Sequence, residues 1–211
     1  MNSGKIKLTI LLVAIILPIT AATLLFMMKE GQGFGSTTNK GHLINPVLDI
    51  TEFGMKTKTG EAIFLPFEVT VADIAPEDYV PRPWGLVYLG QRECDQICEE
   101  RITYLRQLHR RLGAEATRVA RYYINTDEDF APQTTTLFQQ SFPEMTLSYS
   151  NKTLLKNNLA RTHAENIDPI EQHYIYVVDP VGNVMLYFTP ENTPEEILSD
   201  LDKLLDQSSL G

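Results

Sequence analysis

An α/β sandwich, a mixed sheet flanked by helices, is the fold class this sequence predicts. Three observations predict it. Strand-like and helix-like segments alternate from Trp84 onward. The chain then closes on two strand-like runs, YIYVV and VMLYF, joined by Asp179-Pro180-Val181-Gly182-Asn183 and followed by one amphipathic helix. The only two cysteines, Cys94 and Cys98, stand where a strand hands over to a helix.

Taken in order, the elements begin with an uncharged run over residues 8–28, LTILLVAIILPITAATLLFMM. It is long enough to cross a bilayer core of roughly 30 Å. Lys5 and Lys7 precede it, whereas Lys29 and Glu30 follow it and cancel, so residues 1–7 are expected in the cytoplasm and the rest outside it. Thr20-Ala21-Ala22 offers small residues for signal-peptide cleavage, but the run continues to Met28, which favours a retained transmembrane helix. Residues 29–42, rich in Gly, Ser and Thr, read as a flexible tether. The predicted organisation is therefore a cytoplasmic N-terminus (1–7), an anchor (8–28), a tether (29–42) and a folded domain (43–211). The expected location is a bacterial inner membrane crossed once, with the domain in the periplasm.

Within the domain, 43–70 carries short apolar patches and reads as two or three short strands or an irregular cap. Pro76, Pro81 and Pro83 make a loop that leads into WGLVYLG, an apolar run of buried-strand length. A polar turn with the cysteines follows, then a helical segment with Ile97, Ile102, Leu105, Leu108 and Leu112 on one face and Gly113 as its stop. RVARYYIN is the next strand. Residues 134–142 and 152–162 read as short helices, and Asp168-Pro169 as a break. Thr193 and Glu196 form a capping box that opens the last helix, whose apolar face is Ile197, Leu201, Leu204 and Leu205. The order is β-α-β-α(-α)-β-β-α, a thioredoxin-like sandwich.

The formal net charge is −9 and the pI about 4.9, which argues against nucleic acid as a partner. The cysteines carry the chemistry. In an oxidising compartment two thiols bridge unless reduced or metallated. Four residues apart, they are expected one helical turn from each other on one face, with Cα atoms on the order of 6 Å apart. So small a closed loop would add comparatively little stability, which favours a functional pair over a structural staple. A helix N-terminus stabilises thiolate, which is both the redox nucleophile and the soft ligand that suits Cu(I). Of the four histidines, His42 falls in the tether, His109 lies among Arg106, Arg110 and Arg111 as solvated surface, and His163 ends a polar helix. His173 enters a strand whose start, in a thioredoxin-like fold, lies next to the cysteine turn, and is the candidate third ligand.

With its N-terminal anchor, the strand 84–90, Cys94-Asp-Gln-Ile-Cys98 as a C-x-x-x-C motif, the strand 122–125 followed by Asp127, and Asp179-Pro180-Val181-Gly182, the chain resembles a divergent SCO/SenC protein over about residues 60–206. These are membrane-anchored, thioredoxin-like proteins of cytochrome c oxidase assembly. The resemblance implies copper bound by Cys94, Cys98 and a histidine, for the copper centre of oxidase subunit II. It implies as partners the membrane and a respiratory oxidase subunit or other assembly factor. Some members instead reduce that centre's thiols. Two departures stand out: Glu99 follows the second cysteine where the family usually has proline, and Glu171 rather than His173 occupies the family histidine's register. His173 shares its strand parity. The readings carried forward are a copper-delivery factor, a thiol-disulfide oxidoreductase with Cys94 attacking and Cys98 resolving, and a non-catalytic assembly scaffold.

Overall fold

The computed structural model describes residues 4, 7, 11–20, 23, 39–68, 80–162 and 168–208. Residues 11–20 and 23 of the expected anchor are described; the rest of it, most of the tether and His163 fall outside. Residues 11–20 are helical, and among the described residues no helix is long and apolar enough to cross a membrane. The chain divides into two units, residues 1–39 and Lys40–Gly211.

The second unit is built on one six-stranded sheet. Its strands are β1 (His42–Asp49), β2 (Trp84–Gly90), β3 (Val119–Asn125), β4 (Thr146–Tyr149), β5 (Ile175–Val178) and β6 (Asn183–Phe188). Their order is β1-β6-β5-β2-β3-β4. β2, β3 and β4 run parallel, while β5, β6 and β1 add antiparallel. Every residue of β2 is buried, as a central strand covered on both faces requires.

The covering helices are α1 (Gln96–Arg111), α2 (Pro132–Ser141), α3 (Lys152–Leu159) and α4 (Pro194–Gln207). On one face, Leu86, Tyr88 and Tyr123 pack against Ile102, Leu105 and Leu108 of α1, Phe138 of α2, and Ile197 and Leu201 of α4. On the other, Val87, Leu89, Ile124 and Tyr176 pack against Leu155 and Leu159 of α3 and against Ile50 and Phe53. Each such fully buried side chain contributes on the order of 1.5–3 kcal/mol as an upper bound. The capping box of α4 forms as its sequence predicts, with Thr193 Oγ1 accepting from Glu196 N.

Three expectations are corrected. The run 146–149 is a strand, absent from the predicted order, because Ser148 and its neighbours are drawn into the sheet beside β3 by parallel pairing, a non-local cause. The folded unit begins before residue 43. His42 opens β1 and stacks on Tyr187 at 5.1 Å, and the backbone N–H groups of Lys40 and Gly41 donate to the buried Asp200 carboxylate. Ile97, expected on the buried face of α1, is 48% exposed; Arg101 takes the buried position instead.

Candidate functional site

The site is assembled where β2 ends. The Gly90 carbonyl accepts hydrogen bonds from the backbone N–H of Thr126 at 3.0 Å and from its hydroxyl at 2.9 Å. A Cβ on Gly90 would fall 2.0 Å from Tyr123 Oη, so only glycine lets that phenol lie across the strand end. The next loop is clamped to the loop after β3. Arg92 N donates to Asp127 Oδ2 at 2.7 Å, Ala131 N to Arg92 O at 3.0 Å, and Cys94 N to Thr134 Oγ1 at 3.1 Å. Asp95 caps α1, its Oδ1 accepting from Cys98 N at 2.8 Å.

Cys94 and Cys98 form a disulfide with Cα atoms 5.2 Å apart. This is closer than two residues one helical turn apart, because Cys94 precedes the cap and is not on the helix. The expectation of two thiols on one helical face is corrected accordingly. The two sulfurs differ in setting: Cys98 is buried and Cys94 half-buried. Tyr123 Oη lies 3.8 Å from Cys98 Sγ and donates its own proton to Gln91 O at 2.9 Å. Toward the sulfur the phenol therefore offers only lone pairs, which favour the protonated thiol of Cys98 once the bridge is reduced. Cys94, at the helix entrance and more exposed, is the sulfur placed to carry thiolate.

His173 is not in a strand, as its sequence position suggests, but ends the turn before β5. Its φ of 54° is left-handed, a conformation non-glycine residues adopt only where surroundings enforce it. Two groups enforce it. Arg101 Nε donates to His173 O at 3.2 Å, and Tyr88 Oη lies 2.6 Å from His173 Nδ1. Burial, helped by the nearby Tyr123, raises the Tyr88 pKa far above the ordinary phenol value, so the phenol stays protonated. In the tautomer with Nδ1–H donating to that oxygen, Nε2 carries the lone pair that a metal would take; in the other, the phenol donates to Nδ1 and Nε2 carries the proton.

Arg101 is 2% exposed and lies one turn along α1 from Cys98. Besides holding His173 it donates through Nη2 to Thr189 O at 3.2 Å, while Nη1 is buried without a partner. Burial lowers its pKa. Among the described residues no carboxylate pairs with this guanidinium; it is a cation held by backbone carbonyls one turn along α1 from Cys98. Neither Arg101 nor Tyr88 is apparent as a site residue in the sequence. The available signal for Arg101 was its i+3 spacing from Cys98, which places both on one face.

A cleft of about 170 Å³ joins these groups, lined by Tyr88, Glu93, Asp95, Cys98, Glu171 and His173, among others. His173 and Glu171, the two candidates for a third ligand, thus both border the cleft that Cys98 borders. While the disulfide is closed, no group of three His, Cys, Asp or Glu side chains among the described residues is gathered to hold a metal. Reduction would free two thiols, with His173 bordering the same cleft as Cys98; sulfurs deprotonated on binding, together with an imidazole, are a donor set suited to Cu(I). The larger cleft, about 770 Å³ between the loops carrying Lys58, Asp129 and Asn151, holds a Lys58–Asp129 ion pair and neither thiol nor imidazole. It is not where sulfur chemistry can occur.

Residues 84–208 match the family model described as transmembrane-like, thioredoxin-like, C-terminal domain. No curated protein matches the chain. Among solved structures it is similar to yeast Sco1, with a TM-score of 0.52, 12% identity, and coverage of 84% of this chain and 100% of that one. It is also similar to yeast Sco1 with copper bound, at 0.51, 12%, 82% and 96%. BsSco, a Sco-family cytochrome c oxidase assembly protein with a disulfide switch, aligns at 0.49, with 16% identity and coverage of 82% and 100%. Together with the family model, the likeness to the two yeast Sco1 structures establishes the thioredoxin-like fold.

Proposed function

Because the chain belongs to the transmembrane-like, thioredoxin-like C-terminal domain family, we propose that its cysteine turn is a redox-gated carrier site for Cu(I). The ion is cargo, held by Cys94 and Cys98 as thiolates with His173 as third ligand. The observation that carries this reading is the cleft shared by Cys98 and His173, with the imidazole oriented by Tyr88 and its backbone by Arg101. Glu93, Asp95 and Glu171 on the same cleft favour a cation there. Yeast Sco1, solved with copper bound, shares the fold. The bridged form is the closed state. A dithiol donor must supply two electrons and two protons to open it, and the cargo ion then displaces those protons. The client is a copper centre in cytochrome c oxidase assembly, reached from a periplasmic domain held by the 8–28 anchor.

A second reading, thiol-disulfide exchange, rests on the asymmetry of the pair: a half-buried Cys94 open to attack and a buried Cys98 to resolve. Cu(I) titration of the reduced full chain in detergent, against a competing chelator, separates the two. Carrier function predicts one tightly held copper per chain, lost in Cys94→Ser and weakened in His173→Ala. A chain without a tight site, yet with rapid dithiol exchange, would establish the second reading instead.

A further inference from the structure

Toward the other end of α1 from the cysteines, a cleft of about 300 Å³ is lined by Arg106 and Arg110 of α1, Arg121 of β3, His109, Phe142 and Glu144, among others. The sequence reads His109, among Arg106, Arg110 and Arg111, as solvated surface; in the structure Arg106 turns inward. Its Nη1 donates to Ser141 O at 2.9 Å, its guanidinium lies 4.8 Å from the Phe142 ring centroid, and its Nε is buried without a partner. Arg121 is 3% exposed and donates through Nη2 to Glu144 Oε2 at 2.8 Å. Glu144 is 76% exposed and is the one carboxylate lining this cleft among the described residues.

Basic residues in the last turn of a helix commonly answer its macrodipole, and that accounts for His109, Arg110 and Arg111. It does not account for Arg121, which comes from a strand, nor for the orphaned Nε of Arg106. Burial lowers the Arg121 pKa; Glu144 opposes this, while Arg106 and Arg110 lower it further, so the three guanidiniums repel one another across the cleft. Three cations against one solvent-exposed carboxylate leave a local excess of positive charge in a chain whose net charge is −9.

We propose that this cleft binds a phosphate-class oxyanion, with Glu144 as a placeholder that the ligand displaces from Arg121. Guanidinium forks match phosphate oxygens bidentately, and the negative charge of a monoester dianion or a diester monoanion offsets the excess that Glu144 alone leaves. The ligand is a soluble phosphate ester or a phospholipid headgroup, which share this chemistry.

The test is calorimetric titration of the full chain in detergent at low ionic strength. The probes are inorganic phosphate, glycerol 3-phosphate, and glycerophosphoglycerol as the soluble diester of a lipid headgroup. Saturable binding is expected. It should weaken about tenfold in Arg110→Gln, which removes one exposed charge without touching a buried group, and tighten several-fold in Glu144→Gln, which removes the competing carboxylate. Preference for the monoester identifies a soluble ester, and preference for the diester identifies a headgroup. Absence of saturable binding, or wild-type affinity in either variant, overturns the assignment. Unchanged far-ultraviolet circular dichroism and unchanged thiol titration of Cys94 and Cys98 confirm that each variant is folded.

Discussion

Removing one oxygen atom tests how His173 is held. In Tyr88→Phe the ring remains in the core against Tyr123 at 5.5 Å, but the hydroxyl 2.6 Å from His173 Nδ1 is gone. A lost hydrogen bond costs about 0.5–1.5 kcal/mol, and a half-buried imidazole nitrogen left unsatisfied raises this to about 1–2 kcal/mol. With a urea m-value of about 2 kcal/mol/M, the unfolding midpoint should fall by about 0.5–1 M at unchanged m. The consequence for the carrier is separate and larger than that loss suggests. A partner that fixes the orientation of a metal-ligating histidine is worth about 10–100-fold in metal affinity. Paired measurements of urea unfolding and Cu(I) competition on the reduced chain read both effects. A variant destabilised as calculated but with undiminished copper affinity would refute the claim that Tyr88 positions a ligand.

Arg101→Gln removes the guanidinium donors to His173 O and Thr189 O, and should weaken Cu(I) binding at least tenfold by releasing the left-handed turn. Its effect on stability is expected to be smaller, because an unpaired buried cation is relieved at the same time, and urea unfolding compares the two. Gly90→Ala sets a methyl group 2.0 Å from Tyr123 Oη and should cost about 1–3 kcal/mol or more in the same assay, together with slower closure of the Cys94–Cys98 bridge. Asp168 gives a pH dependence. Burial opposes its ionisation, but Lys156 and the N–H groups of Ile170 and Glu171 together hold its pKa below the ordinary 3.8. Its stabilising effect is therefore fully present above pH 3.8 and lost as pH falls through the lower folded value. Between those two values wild type should lose stability relative to Asp168→Asn, and above them the difference should be constant.

Local chemistry made much of this architecture legible in the sequence. The apolar run WGLVYLG read as a buried strand, Thr193 with Glu196 marked the start of the last helix, and the cysteine pair marked the strand-to-helix corner. Elements stabilised by distant partners were not legible. Residues 146–149 are a strand because β3 offers them an edge. His42 is ordered because Tyr187 lies beneath it and Asp200 receives the N–H groups before it. At the site the same division holds. Cys94 and Cys98 announce themselves by spacing. His173 reaches the cleft by a left-handed turn that Arg101 and Tyr88 impose from other elements, and strand parity carries no information about it. The inward turn of Arg106 toward Arg121 is hidden for the same reason, since only the fold brings α1 and β3 side by side.

The central claim is the ligand set, and X-ray absorption at the copper edge of the reduced, Cu(I)-loaded full chain tests it most directly. A shell of two sulfurs and one imidazole nitrogen is expected, with the nitrogen lost in His173→Ala. A sulfur-only shell in the unaltered chain, or copper removed by simple desalting, would contradict it.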